Sequence, residues 1–120
     1  MGTILIVDDE PKIRKFLRMM LEHAGYQVVE ASNGKEGLNL CKITPPTIVL
    51  MDIMMPELDG ISSLREIKKI NHAIKVIAMS GGSVLTPGVY LDEAVCQGAD
   101  CCLSKPIHRE ALLEAINSLV

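Results

Sequence analysis

Five short apolar runs, each followed by a stretch with helical spacing, constrain the fold more than any other feature of the 120 residues. The runs are Ile4-Leu5-Ile6-Val7, Val28-Val29, Ile48-Val49-Leu50-Met51, Val76-Ile77-Ala78-Met79 and Cys101-Cys102-Leu103. Most are apolar without interruption, as in strands covered on both faces by helices. Between them, Ile13, Phe16, Leu17, Met20 and Leu21 follow the spacing of one helix face, with Pro11 suited to the first turn and Gly25 to the stop. Ile61, Leu64, Ile67 and Ile70 form a second stripe, and Leu112, Ile116 and Leu119 a third. A weaker helical stretch from Gly34 to Ile43 ends before Pro45-Pro46, and another opens at Thr86-Pro87 and stops at Gly98. This alternation predicts an α/β domain with a parallel sheet and helices on both faces. Right-handed crossovers then place all strand C-terminal ends on one edge, where open α/β sheets bind ligands.

The residues predicted at that edge carry the chemistry. Asp8, Asp9 and Glu10 follow the first run, Asp52 the third, Ser80 and Gly81-Gly82 the fourth, and Ser104, Lys105 and Pro106 the fifth. If the first and third strands are neighbours, about 4.8 Å apart, two or three carboxylates converge. Unpaired, these would repel and raise one another's pKa values; a hard divalent cation such as Mg²⁺ relieves this. Lys105 offers a compact positive charge to a phosphoryl oxygen, Ser80 a hydroxyl donor, and the N–H groups near Gly81-Gly82 a place for an anion. A carboxylate can itself attack phosphorus to form an acyl phosphate, a reaction that mainly needs positioning and charge neutralisation. Asp52 is the expected nucleophile because it stands alone, while Asp8-Asp9 form a pair suited to metal. Singly, each residue has an ordinary explanation as a helix cap, a loop residue or a solvated charge. Their joint placement at four strand ends on one edge is what argues for a site.

Composition closes off other functions. Twelve Lys and Arg against fifteen Asp and Glu leave a net charge of −3, so direct nucleic-acid binding is not expected. One Phe, two Tyr and no Trp leave a core of Ile, Leu, Val, Met and Ala, and remove most material for base stacking. The start of the chain lacks a basic region before its apolar run, and no apolar run is long enough to cross a membrane. A cytoplasmic setting is therefore expected, in which Cys41, Cys96, Cys101 and Cys102 are reduced, small buried residues rather than disulfides or a zinc site. His23, His72 and His108 are scattered and expected at the surface rather than as phosphotransfer groups. The length suits one domain over residues 1–120, with no output domain after the last helix, Ile107 to Leu119.

The same residues resemble the receiver domain of bacterial two-component response regulators. Ile4-Leu5-Ile6-Val7-Asp8-Asp9-Glu10 is similar to the family's opening strand and acidic pair. Asp52-Ile53-Met54-Met55-Pro56-Glu57-Leu58-Asp59-Gly60 is similar to its phosphoacceptor segment, Ser80 to its switch Ser/Thr, and Lys105-Pro106 to its Lys-Pro pair. The resemblance covers nearly the whole chain. It implies a flavodoxin-like receiver fold: a five-stranded parallel sheet in order 2-1-3-4-5 flanked by five helices, the order the receiver of chemotaxis exemplifies. It also implies that Asp52 accepts a phosphoryl group from a sensor histidine kinase or a phosphotransfer protein. Mg²⁺ would be held by Asp9, Asp52 and the Met54 backbone carbonyl, with Asp8 acting through water. Ser80 and Lys105 would contact the phosphoryl group, and the Lys105-Pro106 bond would be cis. The output would be altered contact with a downstream protein through the fourth and fifth predicted helices and the fifth strand, as a monomer or a phosphorylation-dependent dimer. Such a module is not an enzyme in the ordinary sense, although it catalyses its own phosphorylation and dephosphorylation.

Three departures from the family pattern stand out. Cys102 occupies the position of the usual inward-turning aromatic, Gly81-Gly82 replaces a more usual Ala-containing turn, and Ser83 to Gly88 is slightly long. The resemblance therefore implies a switch carried by a mobile entry to the fourth helix. Met54 offers no hydrogen bond to attacking water, which predicts slow to moderate loss of the phosphoryl group. Two alternatives compete: a Mg²⁺-dependent phosphohydrolase on a similar sheet, and a degenerate receiver acting unphosphorylated. The first wants a D-x-D pair after the first strand, where this chain has adjacent acids; the second is at odds with the retained acids, Ser80 and Lys105.

Overall fold

The structure is a computed structural model that describes residues 2–53, 60–80 and 98–120, apart from the side chains of residues 60, 61 and 80. In chain order the elements are β1 (Thr3–Val7), α1 (Pro11–His23), β2 (Gln27–Ala31), α2 (Gly34–Ile43), β3 (Ile48–Asp52), α3 (Gly60–Ile70), β4 (Lys75–Ser80), β5 (Cys101–Ser104) and α4 (Arg109–Leu119). All five strands pair in parallel in the order β2-β1-β3-β4-β5. Each strand runs one to three residues beyond its apolar run, so Asp52, Ser80 and Ser104 are the last residues of their strands rather than the first residues after them. The C-terminal helix starts at Arg109, two residues after the predicted Ile107. Four of the five expected helices lie among the described residues; the helix predicted from Thr86-Pro87 falls outside them, as do Cys96, Met54 and the Ser83–Gly88 segment.

Alternation along the strands divides the core into two layers. Leu5, Val7, Val49, Met51, Val76 and Ala78 pack with Cys41 of α2 and Leu64 and Ile67 of α3. Ile4, Ile6, Ile48, Leu50, Ile77 and Met79 pack with Leu17 and Leu21 of α1 and Leu112 and Ile116 of α4. Ile48 to Met51 of β3 are all buried, which explains their unbroken apolar sequence. Each such side chain contributes roughly 1.5–3 kcal/mol on burial. β2 is an edge strand and reads differently: its exposure alternates, and Val29 is 39% exposed despite belonging to an apolar run. Phe16 departs from its predicted place in the α1 stripe and is 50% exposed. The neighbouring positions Leu17 and Leu21 already fill the sheet-facing side, and one residue of helix turns a side chain by about 100°.

Local signals set the helix ends. Pro11 occupies the first turn of α1, and Gly25 closes it at φ 98°, in the left-handed region that glycine adopts without a Cβ clash. The Asn33 side chain caps α2 by accepting from the Glu36 N–H at 2.8 Å, while Glu36 accepts from the Ser32 N–H at 3.1 Å. Gly37 permits close packing of α2 on β1, because a Cβ there would meet Val7 Cγ2 at 2.9 Å. Opposite the predicted ligand edge, Asp100 accepts from Lys68 Nζ at 2.7 Å and from the Val76 N–H at 2.8 Å, joining α3 to β4 just ahead of β5.

The cysteines divide. Cys41 is fully buried, and burial pushes its thiol up to about 11, so it is a core residue as expected. Cys101 and Cys102 are in no disulfide and are only half-buried, a correction to the expectation that both lie within the core. β5 is the other edge strand of the sheet. His23, His72 and His108 are exposed, as expected.

Candidate functional site

Sheet register builds the site. Val7 pairs with Met51 across β1 and β3, so the residues that follow, Asp8 and Asp52, stand side by side one strand spacing apart. Asp8 continues the alternation of Ile4 and Ile6, and Asp52 that of Ile48 and Leu50, which directs both toward the layer of α1 and α4. Lys105 continues the alternation of Cys101 and Leu103, which pack on the same layer. Its strand lies two spacings from β3, about 10 Å, and a long flexible side chain is needed to bridge that gap.

Asp8 has no exposed surface and Asp52 is 3% exposed. Lys105 Nζ donates to Asp8 Oδ2 at 2.8 Å and to Asp52 Oδ2 at 3.3 Å. Burial works against the Lys105 ammonium, yet its hydrogen bond to Asp8 and the charges of Asp52 and Asp8 outweigh burial and hold its pKa above the ordinary lysine value. Asp8 is held at three further points. Its Oδ1 accepts from the Glu10 N–H at 2.9 Å, its carbonyl oxygen from Arg14 Nη1 at 2.7 Å, and its N–H donates to the Ala31 carbonyl at 3.2 Å. Lys105 is joined to Pro106 by a cis peptide bond, as the resemblance implied.

Asp9 is exposed, in contrast to its neighbour. Its carboxylate still falls within the cluster: one oxygen from each of Asp8, Asp9 and Asp52 lies within 4.8 Å of the others. Among the described residues, three carboxylates against one ammonium leave a formal excess of two negative charges in a largely buried space. The donor set is all oxygen, hard and anionic, and its spread compares with the roughly 4 Å across a Mg²⁺ coordination sphere. These residues fit a hard divalent cation.

The remaining predicted residues are placed less completely. Ser80 ends β4 beside β5, paired in register with Ser104; its side chain lies outside the described set, as does the Met54 carbonyl. Cys102 is paired with Ala78 and packs against the layer of α2 and α3, on the face opposite Lys105. Two contributions escaped the sequence reading. The Glu10 N–H that holds Asp8 forms a local turn which an acid two residues ahead of a backbone donor signals. Arg14 carried no such signal, because its reach to Asp8 depends on how α1 is rotated over the sheet.

The family model described as the response regulator receiver domain matches residues 4–117. Protein PilH of Pseudomonas aeruginosa is 40% identical over 122 residues, spanning 100% of this chain and 98% of PilH. Chemotaxis protein CheY of Thermotoga maritima is 38% identical over 117 residues, spanning 97% of this chain and 95% of CheY. The crystal structure of a response regulator receiver domain protein from Clostridium thermocellum superposes with a TM-score of 0.87 at 35% identity, covering 99% of this chain and 94% of that one. These matches give no support to the phosphohydrolase alternative.

Proposed function

The chain belongs to the response regulator receiver domain family, and from that premise we propose that it is a signalling module whose Asp52 accepts a phosphoryl group in the presence of Mg²⁺. The observation that carries the reading is the position of Asp52: nearly buried, 3.3 Å from the Lys105 ammonium and grouped with the carboxylates of Asp8 and Asp9.

In this reading an Asp52 carboxylate oxygen attacks the phosphorus of a phosphohistidine on a sensor histidine kinase or phosphotransfer protein. The new O–P bond forms as the P–N bond breaks, and the leaving imidazole takes a proton from solvent. Asp9, Asp52 and the Met54 carbonyl would hold the cation, with Asp8 contributing through water. When bound, the cation neutralises charge on the phosphoryl oxygens. Lys105 supplies a second positive charge, and its hydrogen bonds to Asp8 and Asp52 keep it beside the place where that charge develops. Ser80 donates a hydrogen bond to the phosphoryl group. By the family resemblance Cys102 takes the place of the usual inward-turning aromatic, so the output would depend on packing of a small thiol rather than on rotation of a ring. The altered surface then changes contact with a downstream protein.

Incubation with acetyl phosphate and Mg²⁺, followed by intact mass measurement, tests the reading. Wild type gains one phosphoryl group and Asp52→Asn gains none. Equal labelling of both proteins, or labelling of neither, overturns it.

A further inference from the structure

We propose that Arg14 is a positioning residue for the metal-binding acids, acting as a clamp on the turn that carries Asp8 and Asp9. This rests on the receiver reading above and concerns how the chain holds its own acidic pair in place.

Arg14 grips the turn from both ends. Its backbone N–H donates to the Glu10 carbonyl at 3.1 Å, opening α1, while its Nη1 folds back to the Asp8 carbonyl at 2.7 Å. The three residues Asp8, Asp9 and Glu10 are thereby bracketed by a single side chain and its own amide. The guanidinium is itself oriented: Nε donates to Glu30 Oε1 at 3.1 Å, and the Arg14 side chain is only 16% exposed. Glu30 belongs to β2 and is also bound by Arg18, whose Nη2 donates to the Val28 carbonyl at 3.2 Å. The clamp is therefore anchored on the neighbouring strand rather than on the helix alone.

The consequence falls on Asp9. Asp8 is fixed by Lys105, the Glu10 N–H and its own N–H, whereas Asp9 is exposed and has no side-chain hydrogen bond among the described residues. Its distance from the two buried carboxylates is thus set by the backbone that Arg14 brackets. Guanidinium geometry suits the task, because one planar fork can donate to a carboxylate and to a carbonyl at once; an ammonium on a flexible stem is a poorer fit. Residues that orient metal ligands typically change metal affinity by 10- to 100-fold when removed.

The test is direct binding of Mn²⁺, a paramagnetic stand-in for Mg²⁺, followed by the electron paramagnetic resonance signal of free ion. It is run on wild type, Arg14→Gln, Arg14→Lys and Glu30→Gln, with melting temperature measured alongside. The proposal expects about 10-fold weaker binding for Arg14→Gln and partial recovery for Arg14→Lys. Glu30→Gln keeps the side-chain volume but loses the carboxylate that orients Arg14, and should lose part of the affinity too. If Arg14→Gln does not fold, the Lys and Glu30 variants decide. Unchanged affinity in the folded variants, even with lowered melting temperatures, overturns the clamp while leaving the receiver reading intact. Absence of Mn²⁺ binding in wild type overturns both.

Discussion

Lys105 Nζ lies 2.8 Å from Asp8 Oδ2, although the two residues are 97 positions apart in sequence. The bond joins the loop after β5 to the loop after β1 across the intervening strands, and it places the site's described ammonium against its most deeply buried carboxylate. The polar cluster is thus part of what holds one edge of the sheet together.

Replacing Lys105 by Met should therefore destabilise the protein by about 2–3 kcal/mol near neutral pH, because two nearly buried carboxylates lose their shared cation. The raised pKa of Lys105 gives the effect a definite pH dependence. A cation whose folded value lies above its unfolded value contributes in full below the ordinary lysine value of 10.5 and loses that contribution as pH climbs through the folded value. Urea unfolding of wild type and Lys105→Met should converge at strongly alkaline pH; a constant gap would count against the pairing.

Under the proposed reading, in which the folded cluster and not the unfolded chain binds it, Mg²⁺ should raise the melting temperature. At a hundred times its dissociation constant the gain is about 2.7 kcal/mol, several degrees for a domain of this size. Asp9→Asn and Asp52→Asn should each lose most of that gain. An equal shift in both variants would show that the stabilising ion sits elsewhere.

Gly37→Ala should destabilise the protein by about 1–2 kcal/mol despite alanine's better helix propensity. The added Cβ would approach Val7 Cγ2 at 2.9 Å, and Val7 is fully buried with a stiff β-branched side chain. Val7 precedes Asp8, so the variant should also weaken Mg²⁺ binding. Calorimetry with and without the ion separates the two effects.

Acid should undo the Lys68–Asp100 junction. Burial opposes the Asp100 carboxylate, but the hydrogen bonds from Lys68 and the Val76 N–H prevail and hold its pKa below the ordinary 3.8. A depressed carboxylate stabilises above its unfolded value and ceases to do so as pH falls through the folded one. Lys68→Met should cost about 1 kcal/mol at neutral pH, a modest figure for a partly solvated pair, and this difference should disappear below the normal carboxylate range. A difference that persists in strong acid would assign the loss to packing or to the hydrogen bond that Lys68 Nζ donates to the Ile74 carbonyl at 2.9 Å.

The strand pattern and the principal acids were readable because each apolar run stops abruptly at a charged or hydroxyl residue: Val7 at Asp8, Met51 at Asp52, Met79 at Ser80. Strand order came with the family resemblance, not with periodicity, since five equivalent runs do not specify their neighbours. Other features depend on three-dimensional placement. Adjacent acids look alike in sequence, yet Asp8 is fully buried while Asp9 is the exposed member of the same cluster. Phe16 fits a helical stripe but lies beside, not over, the sheet. Arg14 and Glu30 are sixteen positions apart, and only the docking of α1 along the edge strand brings them together.

The register of β1 against β3 has a consequence for how such a domain can diversify. Asp8 and Asp52 owe their proximity to the pitch between hydrogen-bonded strands, not to the course of any connection. Insertions in surface segments away from this edge can accumulate without altering the spacing of those carboxylates. Reactive chemistry is thereby insulated from the surfaces that choose partners, and one can be rewritten while the other is kept.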